Sequence, residues 1–160
     1  MSSSRHRRRG QTSVEVLFII GIILTGIVII TPSYLDENRS ASLVTYVRNS
    51  ATSACAYLNS GAITNDNQYR VLNRIITASN YTSKSFRVVS VKSSESGDTI
   101  TINVRIEYSG KIDLKNGGIA WRIKTFITRD LVAHSDAKLS GGTLYYGDKK
   151  VVIKVKVVRA

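Results

Sequence analysis

The sequence is poor in the residues that build most catalytic and metal centres. Of its 160 residues one is a cysteine, Cys55, and two are histidines, His6 and His134. A single cysteine excludes an intramolecular disulfide, a multi-cysteine zinc site and a C-x-x-C redox pair. No phosphate-binding glycine loop, paired-carboxylate signature or metal-ligand spacing is present. Catalytic, cofactor and metal residues are therefore not expected, and the chain is not read as an enzyme. Acid is scarce as well. Eleven Asp and Glu stand against 23 Lys and Arg, a net charge of +12, which brings anionic partners into consideration. Four of the arginines lie in the first ten residues, which hold no acid; without Met1 to Gly10 the balance is 19 against 11, a net of +8. The length suits one domain of ordinary size.

Charge is absent altogether between Glu15 and Asp36, a stretch of 20 residues. As a helix rising about 1.5 Å per residue it spans about 30 Å, the thickness of a bilayer hydrocarbon core. Twelve of the residues from Val16 to Thr31 are Leu, Ile, Val or Phe. On the insertion scale they contribute about −4 to −7 kcal/mol together, more than a central acid at about +3 kcal/mol opposes. The segment is expected to enter the membrane despite Glu15. Arg5, Arg7, Arg8 and Arg9 predict its N-terminal end to be cytoplasmic and the rest of the chain to lie outside. A secretory signal would place small residues at a cleavage site after the apolar core. Here that region reads Thr31-Pro32-Ser33-Tyr34-Leu35-Asp36-Glu37, without an A-x-A pattern.

The informative residues precede the core. Arg8-Arg9-Gly10 is followed by Gln11-Thr12-Ser13-Val14-Glu15-Val16-Leu17-Phe18-Ile19. This resembles the archaeal type IV pilins, whose precursors carry a short basic leader (a class III signal peptide) ending in Gly, then Q-x-S-x-E-x-x-x-L. Gln11, Ser13 and Glu15 match, and Ile19 stands in place of the usual Leu with the same volume. The resemblance covers about the first 35 residues. It implies cleavage between Gly10 and Gln11 by a membrane prepilin peptidase. It also implies assembly, through Gln11, Ser13 and Glu15, into a helical filament of identical subunits built by a membrane platform and its ATPase. Archaeal flagellins share the leader but as a family lack the glutamate.

Independently of the family, a carboxylate at a membrane helix end is a functional feature by default. In a filament the amine exposed at Gln11 of one subunit could neutralise Glu15 of a neighbour; alternatively Glu15 snorkels to the headgroups. An N-terminal glutamine can also cyclise, which would leave hydrogen bonding alone.

Pro32 is expected either to kink the helix or to stand as N1 of a second helical stretch capped by Thr31. Beyond it Leu43, Val47, Ala51, Ala54 and Leu58 form the stripe of an amphipathic helix, stopped near Asn59 by Asn59-Ser60-Gly61. Cys55 reads as a small buried helix residue. Val71, Leu72, Ile75 and Ile76 suggest a short second helix. Asn80-Tyr81-Thr82 and Asn38-Arg39-Ser40 fit the N-glycosylation pattern, Asn80 in a loop and Asn38 in the helix.

From Phe86 the period changes to two. Ile100, Ile102, Val104, Ile106 and Tyr108 alternate with polar residues, as do Val151, Ile153, Val155 and Val157, predicting half-buried antiparallel strands. Ile119, Trp121 and Ile123 give a third strand and Phe86 to Lys92 a fourth, a meander of four to six with one face on the amphipathic helix. His134 lies between Asp130 and Ser135-Asp136; on the strand reading of this region, neighbouring side chains point to opposite faces and cannot form a triad. The positive charge of the outer face reads first as protection of exposed strands and second as a contact for anionic surfaces. Nucleic acid is not expected as a partner.

The expected fold class is α+β: a long N-terminal hydrophobic helix followed by a mainly antiparallel sheet. The expected divisions are a leader at 1–10, the helix at 11–59 and an extracellular head at 60–160, with strands from 86. The expected function is a structural pilus subunit serving adhesion, membrane-bound as a precursor and a surface filament when mature. The alternatives are a single-pass, membrane-anchored β domain that binds a ligand, or a tethered polyanion or DNA binder.

Overall fold

A computed structural model describes the backbone of residues 5–160 and the side chains of residues 13–30 and 40–160. The chain forms two compact units, 1–39 and 40–160. Its first element, α1, runs over Arg5–Ser60. It includes Pro32 without a break, so no separate helix begins there; the Pro32 ring lies outside the described side chains.

In the second unit the stripe read from the sequence is the buried face of α1. Leu43, Val47, Ala51, Ala54 and Leu58 are all at most 2% exposed. The end of α1 is built by local hydrogen bonds. Ser60 Oγ donates to Tyr57 O at 2.7 Å, and the Asn59 side chain pairs with both the N–H and the C=O of Phe86 (2.7 and 2.9 Å), tying the helix to the start of the sheet. Gly61 then takes φ +67°, with Tyr81 O only 3.0 Å from where a Cβ would stand. Gly61→Ala should cost about 1–2 kcal/mol for the left-handed backbone and more for the clash. Gly97→Ala, at φ +53° with open space around it, should cost the backbone part alone. Paired thermal unfolding of the two variants checks this, Gly61→Ala melting lower.

A short helix α2 covers Asn73–Ala78, two residues later than the apolar pattern alone places it. The five strands are β1 (Arg87–Ser96), β2 (Thr99–Tyr108), β3 (Ala137–Ser140), β4 (Thr143–Tyr146) and β5 (Lys149–Arg159), and a helix α3 (Asn116–His134) lies between β2 and β3. Their order in the sheet is β1-β2-β5-β4-β3. Three neighbouring pairs are antiparallel, but β2 and β5 run parallel along their whole length. The meander reading is corrected accordingly. A parallel pair cannot be joined by a tight turn and needs a crossover, and α3 with the β3–β4 hairpin supplies it.

The third expected strand is helical. Ile119 and Ile123, read as alternate strand residues, are also four apart, and the series continues to Phe126, Ile127 and Leu131, all buried on one face of α3. Trp121, the residue between them, is 58% exposed, with the Arg122 guanidinium 5.5 Å from its ring. His134 is therefore the last residue of a helix and not part of a strand.

The sheet buries one face. Ile100, Ile102, Val104 and Ile106 of β2 lie beside Val151, Ile153, Val155 and Val157 of β5 in register, and they join the α1 stripe and the inner face of α3 in one core. A chain of rings, Tyr57 to Tyr69 to Phe126 at 4.7 and 5.0 Å, links α1, the loop before α2, and α3. The coarse expectation holds: the chain is α+β, with an apolar N-terminal helix and a mainly antiparallel five-stranded sheet.

Candidate functional site

The first candidate is the N-terminal stretch. Ser13–Ile30 has a mean hydropathy of 2.7, none of it is buried, and it is long and apolar enough to cross a membrane. Its exposure is not confined to one side. Consecutive residues Leu17, Phe18, Ile19 and Ile20 are each at least half exposed, so apolar side chains surround the helix. A helix apolar all round has no stable place in water and belongs in a protein core or a membrane. The Thr25 hydroxyl is satisfied internally: Oγ1 donates to Gly21 O at 2.8 Å, so this side chain makes no unmet polar demand in an apolar medium. Over Gly21 the helix surface forms a notch flanked by Leu17, Phe18, Ile22 and Thr25. Ser13 and Glu15 stand exposed on the first turns of this stretch, and among the described residues Glu15 has no ion-pair partner. Gly10 and Gln11 are in the helical backbone of α1; their side-chain environment, like that of Asn38, lies outside the described residues.

In the second unit the Ser, His and acid of the α3 terminus do not converge as nucleophile and base. His134 Nδ1 lies 3.1 Å from Asp130 Oδ1, one helical turn away, and Gln68 donates to the same oxygen. Ser135 Oγ instead donates to Leu131 O at 2.6 Å, within hydrogen-bonding distance of the helix end. The sequence reading reached the absence of a local triad through the wrong element; in the helix, the serine hydroxyl is spent on the backbone. Cys55 is buried, and burial pushes its thiol up to about 12, so the nucleophilic thiolate does not form at neutral pH. Among the described residues no three His, Cys, Asp or Glu side chains converge as metal ligands would.

Asn80 is exposed just after α2, with φ +54°, and Tyr81 follows at φ +55°. Thr82 Oγ1 donates to Ser79 O. Asparagine is one of the few residues other than glycine that enters this backbone region readily.

Sequence reasoning put positive charge on the outer face of the sheet but missed which charges meet there. Strand register puts Lys92, Asn103 and Lys154 in one row across β1, β2 and β5, and Ser90, Arg105 and Lys156 in the next. Arg87 and Glu107 lie in a third row. Glu107 accepts hydrogen bonds from Arg87 (2.9 Å) and Arg105 (3.0 Å), and these two guanidinium groups, Arg87 first, hold its carboxyl below the usual value. That contribution is present above the ordinary carboxylate pKa and fades as pH falls through the lowered one. Comparison of the chain with protein-family models, with curated proteins and with solved structures gives no match. Periodicity assigns each lysine to a face, but which strands are neighbours, and hence which charges meet, is not written in any one strand.

Proposed function

We propose that this chain is a prepilin: the precursor of a structural subunit that is cut after Gly10, leaves the membrane and polymerises through its N-terminal helix into an extracellular filament, with the 40–160 unit as its head. The observation that carries the reading is the helix apolar on every side over Ser13–Ile30, none of it buried. Such a surface must be covered by lipid or by other copies, and burying it among equivalent helices supplies the driving force for assembly at about 25 cal/mol per Å². The sequence before it, Arg8-Arg9-Gly10-Gln11-Thr12-Ser13-Val14-Glu15, supports processing that retains the helix, since the cut precedes the apolar run. Adhesion is the role we assign to the filament. The precursor sits in the cytoplasmic membrane with its N-terminus inside, and its partners are the prepilin peptidase, the assembly platform with its ATPase, and further copies of itself.

The test is the mass of the N-terminal peptide, taken from membranes and from sheared surface material. A chain beginning at Gln11, cyclised or not, is the expected result. A chain retaining residues 1–10 in both fractions would instead make the protein a stable membrane anchor. Gly10→Val should abolish conversion and leave only precursor, because a branched side chain at the residue before the cut obstructs the extended approach to a protease; mature chain accumulating at the normal level would overturn the assignment of the site.

A further inference from the structure

We infer that the outer face of the sheet is a docking surface for the phosphate backbone of duplex DNA, centred on Lys92, Arg105, Lys154 and Lys156. This goes beyond the filament reading and holds equally for a membrane-anchored head. The 40–160 unit carries 18 basic residues against 8 acidic, a net of +10. On the outer face of β1, β2 and β5 the excess is concentrated: six cations (Arg87, Lys92, Arg105, Lys150, Lys154 and Lys156) share the face with the single acid Glu107. Glu107 is occupied by Arg87 and Arg105. Lys92, Lys154 and Lys156 are exposed and have no carboxylate partner among the described residues.

Protection of open edges accounts for part of this pattern only. β1 is an edge strand, and it carries Lys92 and a bulge between Val88 and Ser90, both devices that discourage pairing with another chain. β4 pairs with β5 only from Lys149 to Val151, so Lys154 and Lys156 also border an open edge. Arg105 does not. It lies on β2, which is paired on both sides, and it sits directly opposite Lys156, a like-charge arrangement that opposes folding. The ion pair with Glu107 offsets part of that repulsion for Arg105 but leaves Lys156 without a counter-ion, which a polyanion lying across three strands would supply.

The spacing and the side chains between the cations suit this occupant. Lys154 and Lys156 are two residues apart on one face, about 6.6 Å along the strand, and alternate phosphates of one DNA strand, two steps of about 3.4 Å, advance about 6.8 Å along the duplex axis. Between the cations stand Ser90, Ser94, Thr101 and Asn103, side chains that hydrogen-bond phosphate and sugar without reading sequence. The face formed by these three strands presents no aromatic ring, which single-stranded nucleic acid would use as a stacking platform. It also lacks the broad apolar surface with which a protein inserts into a lipid interface.

The experiment uses the full chain in nonionic detergent and a labelled 24-base-pair duplex, with binding followed by anisotropy over a series of salt concentrations. The leader arginines contribute equally to every variant. Lys92→Gln, Lys154→Gln and Lys156→Gln combined should lower the slope of log affinity against log salt by about 2.7 and weaken binding on the order of a hundredfold near 0.1 M salt. Arg70→Gln, Lys124→Gln and Arg129→Gln combined, which remove the same charge elsewhere, should leave the slope nearly unchanged. Lysine-to-arginine replacement at the three face positions should preserve binding. If the face variant proves unstable to heat, Lys154→Gln alone replaces it, with an expected slope change of about 0.9. Equal losses in the two triple variants would mean that binding follows net charge and would overturn the site. So would binding of phosphatidylglycerol vesicles through these lysines with no binding of the duplex.

Discussion

Glu15→Ala should be processed at the normal rate and yield at least tenfold less filament. The proposed cut lies on the N-terminal side of Gln11, four residues before Glu15, so the peptidase reaction is not expected to depend on this carboxylate. Assembly is different. Glu15 opens a segment whose following 20 residues carry no charge, and in a bundle of such helices it would be surrounded by aliphatic side chains. An ionised carboxylate there is costly unless paired. The amine of Gln11 in a neighbouring subunit is the partner the sequence offers. Two unit charges about 4 Å apart at an effective dielectric of 20 attract by about 4 kcal/mol, enough to set register between helices that otherwise slide on uniform apolar surfaces. Glu15→Gln separates two forms of the idea. If the amine is free, the amide should assemble nearly as poorly as alanine. If Gln11 has cyclised, only a hydrogen bond is at stake and the amide should assemble. Immunoblots of membrane and sheared fractions read processing and incorporation together. Normal filament yield in Glu15→Ala would remove the role proposed for the carboxylate and leave it snorkelling to the headgroups.

Phe126→Ala should destabilise the 40–160 unit by about 3–5 kcal/mol, a large part of the 5–15 kcal/mol that holds a typical domain together. Phe126 is fully buried, and its ring lies 5.0 Å from that of Tyr69, so truncation opens a cavity where α3 meets the loop before α2. The melting temperature should fall by about 10–20 °C, followed by near-ultraviolet circular dichroism of the full chain in detergent. Trp121→Ala, on the exposed side of the same helix, should change it by only a few degrees. The contrast tests the helix itself. In a strand, the alternation Ile119, Trp121, Ile123 would put Trp121 in the core and make its loss the damaging one. A milder effect of Phe126→Ala than of Trp121→Ala would restore the strand reading.

Where the sequence was legible, one element carried the whole signal. The α1 stripe has five members over about four turns from Leu43 to Leu58, and β2 alternates over ten residues, so each period could be counted within the segment. Over Ile119 to Ile123 the window is too short to separate a period of two from one of 3.6, because residues 119 and 123 fall on one face under either. Phe126, Ile127 and Leu131 decide it, and they lie beyond the window. Weak start signals added to the error: Gly117 and Gly118 open α3, and Lys115, at its N-cap, makes no side-chain capping bond.

The sequence by itself determined the apolar helix, the motif before it, the scarcity of catalytic and metal-binding residues, and the inward face of each long strand. These are properties of local composition and period, and no distant residue can alter them. Tertiary structure alone decided that β2 and β5 run side by side and parallel, with α3 in the crossover between them, and that Arg105 faces Lys156. Pairing between strands some 50 residues apart depends on which arrangement buries both apolar faces with every backbone group satisfied. That comparison is made over the whole chain at once, and no segment records its result.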